Sequence, residues 1–132
     1  GELDREPGDH QRPQLFLGDM NAGPDLRSDM KADMPMVWRR IRALGFSSPA
    51  VQAEENFCSV CRGNSLREPS ARNKLIDHVL VRDPVGGSSL TPLCTRSLFD
   101  ADHKRYFRGL DGRMLEEHLS DHYAVTVTFG YE

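Results

Sequence analysis

Three short stretches of this chain carry side chains whose types and spacing could do chemistry together. The first is Gly18-Asp19-Met20-Asn21. In an extended segment residues two apart share a face, so Asp19 and Asn21 are expected to point the same way. A carboxylate beside a carboxamide can hold a metal-bound water and a phosphate oxygen together, and the preceding glycine allows close approach of backbone or ligand. A strand-to-loop turn rich in Asp, Asn and Gly also explains the stretch. The second is Ile76-Asp77-His78-Val79, where an acid interrupts an apolar run. A buried carboxylate needs a partner, whereas a strand whose polar face meets solvent needs none. By alternation His78 points away from Asp77 and reads as structural or surface. The third is Leu119-Ser120-Asp121-His122. Neighbours at the start of a strand lie on opposite sides of the backbone, so one of Asp121 and His122 can meet a metal and the other a phosphate. The alternative is a Ser/Asp turn with an incidental histidine.

The elements that must position these groups follow from the residues around them. Gln14-Leu15-Phe16-Leu17, stopped by Gly18-Asp19, predicts a short strand buried on both faces. Leu75 to Arg82 is rich in branched residues and predicts another, and His122 to Phe129 alternates as a strand does. Leu90 to Phe99 predicts a strand that Pro92 confines to an edge or a start. Asn56 to Val60 looks like a further short strand. Met34, Val37, Trp38, Ile41 and Leu44 fall at helical spacing, with Pro35 in the first turn and Gly45 at the stop. Asp29 or Asp33 is the candidate cap, and Arg39, Arg40 and Arg42 fall mostly on the wet side. Gly1 to Pro13 reads as an exposed approach segment, and Arg62 to Lys74 as a polar, basic loop. Asp100 to His118 is charged and dotted with aromatics. The total is about five strands and one helix, a mixed α/β pattern.

Length and composition set the frame. The chain has 132 residues, one domain's worth. Its net charge of −3 excludes a strongly cationic protein that grips nucleic acid by bulk charge alone. No apolar run approaches the length of a membrane span, and no basic, apolar leader is visible at the start. The cysteines are Cys58, Cys61 and Cys94, an odd set that does not make a disulfide framework. Cys58-x-x-Cys61 has no second pair with which to complete a zinc site, so buried free thiols on strands are expected.

Taken in order, GDMN after a strand, IDHVLV on a strand and LSDHYAV entering the final strand resemble the second half of the endonuclease/exonuclease/phosphatase superfamily of metal-dependent phosphodiesterases. The matches run from Gly18 to Val125. Asp111-Gly112-Arg113 leading into His118-Leu119-Ser120-Asp121-His122, and the polar insertion before Leu75, resemble the sphingomyelinase-like branch. The resemblance implies a role for each residue. Asp19 positions or deprotonates the attacking water. Asn21 binds the phosphate and, in some readings, a metal. His122 meets the scissile phosphate as base or as electrostatic stabiliser, and Asp77 orients it, which also answers the burial problem of that carboxylate. Asp121 belongs to the metal-site region with Asp19, Asn21 and His122. The implied cofactor is Mg²⁺ or another divalent cation, which would neutralise the phosphodiester.

The implied fold is an α/β (α+β) one, the mixed-sheet half of a four-layer α/β/β/α sandwich of the deoxyribonuclease-like type, with residues 1–132 as the C-terminal part of one domain. The other half, in the same or another chain, would supply a glutamate ligand. These residues alone are therefore expected to be catalytically weak or inactive, and to expose an apolar flank prone to association. The implied substrate is sphingomyelin, cleaved to ceramide and phosphocholine, with Phe99 to Phe107 facing a membrane through Tyr106 and Phe107 beside His103, Lys104 and Arg105. An exposed loop with partly buried aromatics is the plainer account of that region. One alternative is a Mg²⁺-dependent DNA or RNA nuclease that meets phosphates through Arg62, Arg67, Arg72 and Lys74. The other is an inactive, binding relative that keeps the scaffold.

Overall fold

The computed structural model describes residues 12–26, 28–53, 58–98 and 104–131. The approach segment expected over Gly1 to Pro13 lies almost wholly outside them. In chain order the elements are β1 (Gln14–Asp19), α1 (Pro35–Ala43), α2 (Pro49–Gln52), β2 (Asp77–Arg82), β3 (Leu90–Leu98), β4 (Lys104–Arg108), β5 (Met114–His118) and β6 (Ala124–Tyr131). The strands form three antiparallel two-stranded ladders, β1–β2, β3–β6 and β4–β5. The class is mixed α/β, as the residue pattern predicts, and the strands are antiparallel in small sheets.

β2 is the buried centre. His78, Val79, Leu80 and Val81 are all sealed. β1 lies on one side, and on the other Val81 and Ser47 exchange two backbone hydrogen bonds of 2.8 and 2.7 Å. Leu80 packs with Ala22 and Trp38 in one apolar cluster. Leu75 packs with Met30, Ala50, Cys58, Cys61 and Tyr123 in a second, which brings the start of β6 against the loop before β2.

β1 corrects an expectation. It is a strand, but it is not buried on both faces: Leu15, Phe16 and Leu17 are 46%, 57% and 62% exposed. Among the described residues it has β2 as its one strand partner and no layer over its side chains. α1 departs in the same way. Trp38 is buried, and Arg39, Arg40 and Arg42 are exposed as expected, but Met34, Val37 and Leu44 are exposed too. Neither aspartate caps it. Met34 takes the N-cap position in the left-handed region, with no side-chain bond. Asp33 binds the Lys74 ammonium instead, and Asp29 accepts from the Asn73 amide at 2.9 Å. Gly45, at φ 86°, ends the helix as expected.

Two more expectations change. Cys58 and Cys61 are not free thiols on a strand but form a disulfide within a loop, and Cys94, on β3, is free. The strand expected at Asn56 to Val60 reduces to a single bridge between Val60 and Lys74, with residues 54–57 outside the described set. β3 behaves as an edge, paired with β6 and bulged between Pro92 and Cys94, because proline brings no N–H to the ladder. The hairpin β4–β5 and the short helix α2 have no counterpart in the pattern above.

His78 is structural, and buried rather than at the surface. Its Nδ1 lies 2.9 Å from the Ser48 hydroxyl, its Nε2 3.0 Å from the Ala22 carbonyl, and its ring stacks on Trp38 at 4.7 Å. The carbonyl can only accept, so Nε2 carries the proton and Nδ1 accepts from Ser48. Burial pushes its pKa below the ordinary 6.5, against the opposing pull of the Ala22 and Leu75 backbone and of Asp77 and Asp19. No helix among the described residues is long and apolar enough to cross a membrane.

Candidate catalytic and metal site

Asp19 ends β1 and Asp77 begins β2, and the antiparallel register sets them directly opposite each other. The register is fixed by the pairing of the residues behind them, so the two carboxylates cannot slip apart. Like charges in such a pair repel, and a cationic partner relieves them. His122, in the turn before β6, places Nδ1 2.8 Å from Asp77 Oδ2. A carboxylate only accepts, so Nδ1–H donates and Nε2 is left as the nitrogen open to other chemistry. One ligand atom from each of Asp19, Asp77 and His122 lies within 4.8 Å of the others. Asp19 is exposed while Asp77 and His122 are partly buried, so the group has a firm back and an open front.

Each member is held locally. Gly18 turns the chain at φ 139°, a backbone region that suits glycine, with open space where a Cβ would stand. Its use here is conformational rather than close approach. Met20 N–H then bonds the Ile76 carbonyl at 2.8 Å, which carries the pairing past the end of the ladder. Asp19 Oδ1 accepts from the Asn21 backbone N–H at 2.7 Å. Asp77 N–H donates to Ser59 Oγ at 3.1 Å. His122 N–H donates to Ser120 Oγ at 3.1 Å, the Ser120 carbonyl accepts from Asn64 Nδ2 at 2.8 Å, and Tyr123 N–H donates to the Ser59 carbonyl at 2.7 Å.

The structure brings together Asp19, Asp77 and His122 and leaves two expected members outside that group. Asn21 lies beyond β1 at φ 46°, so the two-apart rule for extended chain does not reach it; its backbone, not its carboxamide, meets Asp19. Asp121 is drawn to Arg67, whose Nη1 lies 3.4 Å from its Oδ2. The sequence reading gives Arg67 only as a phosphate contact of a nuclease, and Ser59 and Asn64, which anchor the site from the loop before β2, escape it. They act mostly on backbone atoms, and no spacing pattern marks that.

Two facing carboxylates with an open front suit a hard cation. Mg²⁺ commonly takes one or two protein carboxylates and keeps several waters. Asp19 and Asp77 offer those oxygens, and the proton on Nδ1 keeps that nitrogen of His122 out of the coordination. No family model, curated protein or solved structure matches this chain.

Proposed function

We propose that the chain carries one side of the active site of a metal-dependent phosphodiesterase that hydrolyses its substrate by in-line attack of water. The observation that carries this reading is the 2.8 Å contact of His122 Nδ1 with Asp77, made beside the facing carboxylate of Asp19. Asp19 and Asp77 would hold the divalent cation, which neutralises phosphate charge when bound. Asp77 fixes the imidazole so that Nε2 addresses a phosphoryl oxygen or a water proton. Asp19 aligns the attacking water, Asn21 supports the phosphate from the same turn, and Asp121 borders the metal region from its pair with Arg67. The same proposal includes the larger fold, a four-layer sandwich whose second half covers β1 and supplies a glutamate ligand. The exposed run Leu15-Phe16-Leu17 supports it.

A lipid phosphodiester such as sphingomyelin is favoured over nucleic acid. The hairpin β4–β5 exposes Tyr106, Phe107, Leu110 and Met114 among Arg105, Arg108 and Arg113, a mixture that suits a lipid interface. Phe99 and His103 lie outside the described residues. The cations that would meet nucleic acid are largely engaged at home: Arg62 Nε on the Pro69 carbonyl, Arg67 on Asp121, Lys74 on Asp33. The test compares phosphocholine release from sphingomyelin vesicles with plasmid nicking, in Mg²⁺ and then EDTA, for the chain alone and joined to a glutamate-bearing half. The expected result is Mg²⁺-dependent phosphocholine release by the joined protein, about 100-fold weaker or more in His122→Ala. Release that ignores EDTA and His122→Ala would refute the reading, and nicking without release would move the substrate to nucleic acid.

A further inference from the structure

We infer that Ser59, held between Cys58 and Cys61, is the positioning residue of the Asp77–His122 pair, and that the disulfide makes the geometry of this pair sensitive to reduction. The inference rests on the proposed function for its significance but on separate contacts for its substance. Asp77 and His122 belong to different parts of the fold. Asp77 begins β2, His122 precedes β6, and these two strands sit in different ladders. Ser59 touches both sides of that gap. Its Oγ accepts from the N–H of Ile76 at 3.0 Å and of Asp77 at 3.1 Å. Its carbonyl accepts from Tyr123 N–H at 2.7 Å, one residue after the imidazole. Its own N–H donates to the Lys74 carbonyl at 3.0 Å. With 0% of its surface exposed, Ser59 has no water to exchange these bonds for.

The loop that presents Ser59 is fixed twice. The disulfide joins residues three apart, and both sulfurs are buried in the cluster that contains Leu75 and Tyr123. Ser59 thus cannot turn without moving either the covalent ring or the packing next to β2 and β6. A dithiol reductant would open the ring by thiol–disulfide exchange. Its two thiols become one disulfide, and Cys58 and Cys61 each leave as a thiol, two electrons and two protons having been transferred. The freed loop then holds Ser59 by its hydrogen bonds and packing, without the covalent ring.

The test is a ¹⁵N NMR measurement on the metal-free protein with labelled histidine, reading the His122 Nδ1 proton and its exchange with water. It needs no substrate and no cation, so its outcome is separate from that of the hydrolysis assay. Ser59→Ala should accelerate exchange of that proton roughly tenfold, the size of one net hydrogen bond. The matched control is Ser48→Ala, which removes an equally buried hydroxyl on His78 and should leave the His122 signal unchanged. If Ser59→Ala does not fold, the wild-type protein treated with dithiothreitol, and the Cys58→Ser/Cys61→Ser double variant, carry the same readout and should show the same faster exchange. An unchanged Nδ1 proton in the folded Ser59→Ala protein, or in the reduced protein, would overturn the inference. So would an equal effect from Ser48→Ala.

Discussion

The three histidines of the described residues do different work, and their neighbours decide which. His78 and His118 are buried, with ring nitrogens turned to internal groups: Ser48 and Ala22 for one, the Ser65 N–H at 2.9 Å and the Tyr123 side for the other. His122 is partly exposed and shares its Nδ1 proton with a carboxylate. Only this third arrangement leaves a ring nitrogen for chemistry. His78 gives a pH prediction. Burial holds it neutral in the folded chain, with its pKa below 6.5, while the unfolded chain takes up a proton near that value. The unfolded state therefore binds more protons as the pH drops, and stability that is complete above 6.5 is lost as the pH falls toward the lower folded value. Urea midpoints measured from neutral to mildly acidic pH should fall across that window, and more gently in His78→Gln.

Among the elements, the turn after β1 is the least forgiving. Gly23 bridges to Asp33, and a Cβ there would collide with the Leu75 carbonyl oxygen, which is backbone and cannot swing away. Gly23→Ala should lose about 3 kcal/mol in urea unfolding, the upper end of an overpacked core. Loss below that of an ordinary surface change would show that the segment shifts freely. What the sequence disclosed at this scale depended on how local the cause was. β2, β6 and α1 were legible because apolar spacing is a local property of the chain. The exposure of Leu15 to Leu17 was not, since it depends on what packs over β1 rather than on β1. Tyr106 and Phe107 were legible as aromatics beside cations, but the hairpin that carries them hides in Lys-Arg-Tyr-Phe-Arg, where solvent on most sides leaves no alternation to read. The Cys58–Cys61 ring was missed because a pair so close in sequence equally suits thiols or a metal, and only the loop's shape decides. Asp19, Asp77 and His122 were legible as polar breaks at strand ends. Asn21 misled because one left-handed residue cancels the rule that two-apart side chains align.

At the scale of the molecule, the apolar surface left on β1 and α1 is the dominant feature outside the site. Leu15, Phe16 and Leu17 line a strand paired on one edge, and α1 also exposes Met36 and Val37. Such an edge invites association. Phe16→Lys should raise the concentration at which light scattering sets in, while changing stability by no more than about 0.5 kcal/mol, because the side chain it replaces is already largely wet. Unchanged scattering would place the sticky surface elsewhere. The separate ladders have a last consequence. Asp77 begins β2 and His122 precedes β6, so a slight sliding of one ladder past the other would part the acid from the imidazole while every strand stayed intact. Under the proposed function, gentle warming should silence hydrolysis by the protein joined to its other half several degrees before circular dichroism registers any melting.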